Sequence, residues 1–223
     1  MFNFRFVAIL APLIFPVLCV IFALTGFDEF GGFLIKEDGL LETCSFFIWV
    51  GLAVVFVGYG LALKKSTFKL CVYLFVALGA FFVAMEEISW GQRVFDIETP
   101  KAMQEMNLQK EINLHNLKVG EVRVNRILTR VGSLILIAYF FIVPWLYQRK
   151  TKFITGLVDY FKAPLIELKY APIVAVYAVI TYVFVAHDRH GELMEFYGPF
   201  LILVLFAGGY KQMKLDAAND DNS

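Results

Sequence analysis

Cysteine and charge are both scarce in this chain of 223 residues. Its three cysteines, Cys19, Cys44 and Cys71, lie in or beside apolar runs without metal-ligand spacing, so no disulfide framework is indicated. Charged residues make up 18% of the chain and their formal sum is zero, which does not favour a nucleic-acid partner. Apolar residues reach 59%, against roughly 45 to 50% in a soluble domain. The chain therefore belongs in a lipid bilayer.

Six apolar stretches are long enough to cross a membrane. They predict an all-α polytopic membrane protein, a six-transmembrane-helix bundle that forms a single transmembrane domain over residues 1–223. The spans fall at about 6–25, 43–63, 70–90, 131–147, 170–186 and 193–210. For the first of them a cleaved signal peptide is the alternative, although Pro12 and Pro16 interrupt its apolar core.

The connections between the spans differ in length and charge. The loop 91–130 is external and is expected to contain an interfacial helix from about Pro100 to Leu117, because Leu108, Ile112 and His115 share a helical face. Two short basic turns, 64–69 and 148–152, favour the cytoplasmic side, which also places both termini there. A short amphipathic helix is predicted on the inner leaflet after the second turn, and the polar tail 211–223 is expected to be loose in the cytoplasm.

Acidic residues and histidines gather on the opposite, external face of this topology. Glu86 and Glu87 stand at the end of the apolar run 70–85, where an ionised carboxylate must be paired, hydrated, bound to a cation or kept protonated. The same face holds all three histidines and most of the other acids. They include His115, His187, His190, Glu37, Glu42, Glu111, Glu192 and Glu195.

Two chemistries suit this set of residues, and their spacing does not choose between them. A divalent metal, with zinc expected first, would take neutral imidazoles and a carboxylate as ligands. The candidate metal ligands are His115, His187, His190 and Glu195. Without a metal, a carboxylate whose pKa burial raises would serve as general acid or base. The candidate catalytic residues are Glu86, Glu87, Glu111 and Gln92, and those for substrate binding are Trp90, Arg93, Asn113, Asn116, Glu37, Glu42 and Arg189.

Each of these residues also has a simpler interpretation. Glu86 or Glu87 would pair with Arg93 or Arg189 at the membrane surface, and the histidines would be packed or loop residues. Trp90, at the end of a span, fits an aromatic-belt anchor.

The segment Glu86-Glu87-Ile88-Ser89-Trp90-Gly91-Gln92-Arg93 and the later Glu111-Ile112-Asn113-Leu114-His115-Asn116-Leu117 resemble an uncharacterised family of bacterial multi-pass membrane proteins. The stretches Glu98-Thr99-Pro100, Asn107-Leu108-Gln109 and Lys36-Glu37-Asp38-Gly39 with Glu42 are also similar to it. The resemblance covers roughly residues 36–117. It implies a shared site at Glu37, Glu42, Glu86, Glu87, Trp90, Gln92, Asn113, His115 and Asn116, without naming the chemistry. A more distant comparison, with alkaline ceramidases and adiponectin receptors, is an analogy only, because this chain has six apparent spans and no His-x-x-x-His.

We therefore expect an integral protein of the bacterial inner membrane, with a metal-dependent hydrolase or transferase activity on a lipid or lipid-linked substrate. Two alternatives stay open: a non-catalytic subunit or scaffold of a membrane complex, and a cation- or proton-coupled transporter. The expected partners are the lipid bilayer, the substrate, and other membrane proteins or further copies of the chain.

Overall fold

The computed structural model describes residues 40–184 and 190–220, and it is mostly helical over this part of the chain. The helices are α1 (Leu40–Ala62), α2 (Thr67–Glu87), α3 (Lys101–Met106), α4 (Val124–Ile137), α5 (Val143–Gln148), α6 (Lys152–Phe161), α7 (Ala171–Phe184) and α8 (His190–Asp220). A small antiparallel hairpin pairs β1 (Lys118–Val119) with β2 (Val122–Arg123) just before α4. Short 3-10 turns, Ser89–Gly91 and Leu168–Tyr170, follow α2 and precede α7.

Three helical stretches are long and apolar enough to cross a membrane: Glu42–Ala62, Thr67–Glu87 and Val124–Gln148. They correspond to the second, third and fourth predicted spans. The fifth and sixth predicted spans are helical as α7 and α8, and the first lies outside the described residues. The fold is thus helical and compatible with a membrane protein, while the count of six spans stays a prediction.

The helical stretch at the fourth predicted span, Val124–Gln148, begins earlier than predicted and is not a uniform α-helix. It starts at Val124 rather than at residue 131, because polar residues such as Asn125 and Arg126 continue the helix beyond its apolar part. A π-helical turn, Ala138–Ile142, connects α4 to α5. Pro144 follows this turn; a proline has no N–H for the α-helical ladder, and a wider turn accommodates the missing bond.

The structure differs from the predictions for two segments, the loop after Pro100 and the tail. The interfacial helix predicted from Pro100 to Leu117 ends at Met106, and the chain becomes extended at Asn107. The Asn107 side chain accepts hydrogen bonds from the backbone N–H groups of Gln109 and Glu111, which competes with a continuing helix. The polar tail, predicted to be loose, is helical as far as Asp220, because α8 continues through it.

The core is aromatic and lies between α1, α2 and α8. The Tyr59 ring packs 5.2 Å from Tyr73 of α2 and 5.0 Å from Phe206 of α8. Gly51 and Gly58 of α1 face residues 203 and 210 of α8, so these two helices run in the same direction. The short turn 63–66 makes α1 and α2 antiparallel.

These directions give the bundle two chemically different ends. The acidic end, where α1 and α8 begin and α2 finishes, carries Glu42, Glu86, Glu87 and Glu195. The opposite basic end carries Lys64 and Lys65 of the turn before α2, together with α6 and the turn 149–151. The acids of the helix ends therefore lie at one end of the bundle and the short basic turns at the other, as the sequence predicts, while the loop at the acidic end also carries basic residues such as Arg93 and Lys101.

Candidate functional site

The site is built around the carboxylate of Glu86, a residue in the last turn of α2 that is only 5% exposed. Its Oε1 accepts a hydrogen bond from Nε1 of Trp90 at 2.7 Å. Its Oε2 accepts from the backbone N–H groups of Leu114 at 2.6 Å and His115 at 3.0 Å. Three donors thus compensate for the burial of this carboxylate, as an acidic group at such depth requires. The bonds also join the end of α2 to a loop segment 28 residues further along the chain.

An unusual backbone turn places Trp90 for this contact. Ser89, Trp90 and Gly91 have φ values of 47°, 56° and 75°, so three successive residues lie in the left-handed region. Two of them are not glycine, and such conformations persist only where surrounding contacts hold them. The Trp90 ring also packs edge-on against Phe82 of α2, with ring centroids 5.3 Å apart.

A second group of hydrogen bonds surrounds Glu111. Ser89 donates its hydroxyl hydrogen to Oε2 of Glu111, and Nδ2 of Asn113 donates to the same oxygen at 3.1 Å. Arg93 lies 3.4 Å from the other carboxylate oxygen of Glu111. Asn113 is 2% exposed and also donates to Oγ of Ser89 at 3.0 Å. This carboxylate therefore links the left-handed turn to the segment that precedes His115.

Gln92 connects two further parts of the loop. Its Oε1 accepts from the backbone N–H of Ile112 at 2.7 Å, and its Nε2 donates to Oγ1 of Thr99 at 2.5 Å. Thr99 in turn donates to the carbonyl of Lys110 at 2.7 Å. Both ends of the Gln92 amide are thus used to hold the loop together.

Asparagine side chains form the inner part of the network. Nδ2 of Asn107 donates to the carbonyl and to Oδ1 of Asn113, both at 2.8 Å. The Asn116 amide donates to Oε1 of Gln109 and contacts Nε2 of His115 at 2.9 Å. Asn107, Asn113 and Asn116 are all buried, so the network forms a polar core for a loop that has little regular secondary structure.

His115 lies at the edge of this core, with 32% of its side chain exposed. Its Nδ1 is 3.5 Å from Oε2 of Glu86, the oxygen that also accepts its own backbone N–H. Glu195 of α8 interacts electrostatically with His115 and accepts a hydrogen bond from Thr129 of α4 at 2.7 Å. A carboxylate beside Nδ1 favours the tautomer that carries hydrogen there, which leaves Nε2 as an acceptor. Asn116 then donates to that nitrogen in the present arrangement.

The structure brings most of the predicted site residues into this one network. They are Glu86, Trp90, Gln92, Arg93, Glu111, Asn113, His115 and Asn116. Glu42 and Glu87 lie at the same end of the bundle, in the first turn of α1 and at the last residue of α2. Glu37, His187 and Arg189 lie outside the described residues, and only the backbone of His190 is described.

Four residues of the network were not predicted as site residues: Ser89, Thr99, Asn107 and Gln109. All four belong to the stretches that carry the family resemblance, and none can ionise. A search for ionisable groups passes over such residues. The sequence feature that could indicate them is the high density of Ser, Thr, Asn and Gln, whose side chains both donate and accept, between the third and fourth predicted spans.

The predicted metal centre is not assembled from the part of the chain that the structure describes. Among those residues no three His, Cys, Asp or Glu side chains come together in a way that could hold a metal ion. The carboxylate oxygens of Glu86 already accept hydrogen bonds from three N–H groups, which does not suit a metal ligand. The prediction of zinc therefore depends on the side chains of His187 and His190, outside this description.

Comparison of the chain with protein-family models, with curated proteins and with solved structures found no match. The class of protein is therefore defined by the fold and the site alone: a helical chain compatible with a membrane protein, with a buried carboxylate, a partly exposed histidine and a network of amides at its acidic end.

Proposed function

We propose that this chain is an integral enzyme of the bacterial inner membrane that hydrolyses or transfers a group on a lipid or lipid-linked substrate. In this proposal His115 exchanges protons with the substrate, and Glu86 positions it. The observation that carries the proposal is the placement of one carboxylate oxygen, Oε2 of Glu86, against both the backbone N–H and the ring Nδ1 of His115. The acidic end would face away from the cytoplasm, which the basic turns at the other end support.

The proposed roles of Glu86 and His115 follow from the hydrogen bonds that each side chain already makes. Glu86 already accepts three hydrogen bonds, so it suits a positioning role better than that of the base. Its contact with Nδ1 orients the imidazole and stabilises the imidazolium that forms when Nε2 takes a proton. A substrate hydroxyl or a water molecule would replace the amide of Asn116 at Nε2 and give up its proton there.

Exposed aromatic side chains and an arginine beside the site support a substrate that comes from the membrane. Trp90 and Phe95 beside it are 40% and 72% exposed, and Phe82 in the last turns of α2 continues this apolar surface. Arg93, which pairs with Glu111, has 38% of its side chain exposed. An amphiphile could therefore place its chains along α2 and an anionic head group near Arg93.

The test uses the purified chain in lipid nanodiscs, incubated with bacterial lipid extracts, with products identified by mass spectrometry. A His115→Gln variant should lose at least about a hundred-fold of the turnover, the lower range for loss of a general acid or base. Glu105→Gln, an exposed change in α3, serves as the control and should keep it. Turnover that is unaffected in the His115→Gln variant would contradict the proposal.

Metal analysis of the same preparations separates the two chemistries. Stoichiometric zinc that disappears in the His115→Gln variant would favour a metal-dependent mechanism with His187, His190 and Glu195 as further ligands. A metal-free protein with full turnover would favour direct proton transfer by His115.

A second candidate function, a scaffold within a membrane complex, is favoured by the apolar side chains on the loop. Val94, Phe95, Val119 and Val122 are between 52% and 76% exposed. Such residues at the tip of an internally bonded loop suit a protein interface. Crosslinking in intact membranes through residue 119, followed by mass spectrometry, would identify a stoichiometric partner that a Val119→Asp, Val122→Asp double variant should lose.

A further inference from the structure

The basic end has a net positive charge, and it lies at the other end of the bundle from the site described above. Seven of its Lys and Arg side chains come from the turn before α2, the start of α2, the turn 149–151 and the two ends of α6: Lys64, Lys65, Lys69, Arg149, Lys150, Lys152 and Lys162. Nearby, the Asp159 carboxylate accepts a hydrogen bond from the Tyr147 hydroxyl at 2.9 Å, and Glu167 pairs with Lys169 at 2.5 Å. The end therefore presents a large excess of positive charge.

The helix α6 lies at this end with one face on the bundle and one face outward. Val158 is buried against the bundle, whereas Phe153, Leu157 and Tyr160 are 76%, 46% and 44% exposed. Lys152 and Lys162 stand at the beginning and just after the end of the helix. An exposed apolar face flanked by lysines is typical of a helix that lies in a membrane interface.

Two tyrosine hydroxyls hold the end of α6 and the residues just after it in this position. The Tyr73 hydroxyl of α2 donates to the carbonyl of Phe161 at 2.7 Å, and the Tyr139 hydroxyl donates to the carbonyl of Pro164 at 2.6 Å. Both bonds come from helical stretches that are long and apolar enough to cross a membrane. The outward face of α6 is thus fixed relative to the spans and, through them, relative to the bilayer.

Two of the cations at this end lie over aromatic rings. The Lys69 ammonium lies 4.0 Å from the centre of the Tyr160 ring, and the Arg149 guanidinium lies 4.2 Å from that of Trp145. Trp and Tyr are enriched at the head-group level of membranes, so these pairs place cations at the depth of lipid phosphates.

We propose that the basic end binds anionic phospholipid head groups, with the apolar face of α6 among the upper acyl chains and the surrounding lysines and arginines on the phosphates. The exposed Phe153 and Leu157 select a bilayer over a soluble anion, because a soluble anion would leave them in water. The net positive charge selects anionic over zwitterionic lipids. This inference is independent of the proposed enzymatic function.

The test measures binding of phosphatidylglycerol and phosphatidylcholine to the full chain in a neutral detergent by native mass spectrometry. The test variant is the triple substitution K150Q/K152Q/K162Q. A matched control, K101Q/K118Q/R123Q, removes three charges from the loop at the acidic end. Soluble glycerol phosphate, added as a competitor, distinguishes a head group in a bilayer lipid from a free phosphate.

We expect the wild type and the control to prefer phosphatidylglycerol, and the test variant to bind it at least about ten-fold more weakly, given the size of the interaction per basic residue near an anionic surface. A Phe153→Ser, Leu157→Ser variant should weaken binding of both lipids while keeping the preference between them. The inference is overturned if the test variant keeps the wild-type preference, or if glycerol phosphate displaces the lipid at equal concentration. Equal losses in the control and the test variant would also overturn it.

Discussion

Replacing Glu86 with glutamine separates the charge of this residue from its shape. In the native loop one carboxylate oxygen accepts from Nε1 of Trp90, and the other accepts from the backbone N–H groups of Leu114 and His115. Glutamine has one acceptor oxygen and one NH₂ group in the same places. The better orientation keeps the oxygen on the two backbone groups and turns the NH₂ toward the indole N–H, so two donors face each other.

The size of the effect follows from these bonds. A buried donor without a partner costs about 1–3 kcal/mol, and we take the lower end because Trp90 is 40% exposed. Two hydrogen bonds that change from a charged to a neutral acceptor each lose about 1 kcal/mol more. The Glu86→Gln variant should therefore destabilise the loop by about 3 kcal/mol, which corresponds to a roughly hundred-fold change in an opening equilibrium.

Hydrogen exchange read by mass spectrometry tests this in the peptide that covers residues 107–117. The amides of residues 114 and 115, which bind Glu86 in the wild type, should exchange about a hundred-fold faster in the variant. The Glu105→Gln variant provides the control, since residue 105 is exposed and lies in α3. If the Glu86→Gln peptide exchanges within about three-fold of the wild type, the carboxylate does not hold the loop, and the reasoning is refuted.

Further predictions concern the inner network and the core. Asn113→Asp would place a carboxylate oxygen where Nδ2 now donates to Glu111 at 3.1 Å. It should cost at least about 3 kcal/mol in detergent unfolding, and a variant as stable as the wild type would contradict the assigned bonds. Gly209→Ala would make a Cβ overlap the Tyr59 hydroxyl, and a cost of about 1–3 kcal/mol is expected. Gly79→Ala, whose Cβ meets nothing within 4 Å, should instead stabilise α2 by about 0.5–1 kcal/mol. Equal thermal midpoints for the two glycine variants would show that the close approach is absent.

Hydropathy and length are local properties, so the sequence predicts the second, third and fourth spans, where the structure has long apolar helices. The apolar run before Glu86 gives both the third span and the position of a buried carboxylate at its end, and the structure has a helix there. The early start of the fourth span at Val124 could not be predicted in this way, since its first turns are polar and lie beyond the apolar run.

Periodicity misled the prediction for the loop. Leu108, Ile112 and His115 have helical spacing, yet the Asn107 side chain binds backbone N–H groups that a helix would need. Spacing along the chain also could not show that Glu86 would meet the backbone of residues 114 and 115, because that contact joins distant segments. The predicted topology places Glu86 and His115 at the same face of the membrane, but it does not give these bonds.

The large sequence separation between Glu86 and its backbone donors also constrains how the protein is made. When Glu86 emerges from the ribosome, two of its three donors, the backbone N–H groups of Leu114 and His115, lie 28 and 29 positions further along the chain and are still inside the ribosome. Until they arrive on the same side of the membrane, the acid needs water or a proton in place of its later partners. The loop therefore also completes the maturation of α2, because newly inserted α2 acquires its final stability only after the chain as far as residue 115 has emerged from the ribosome.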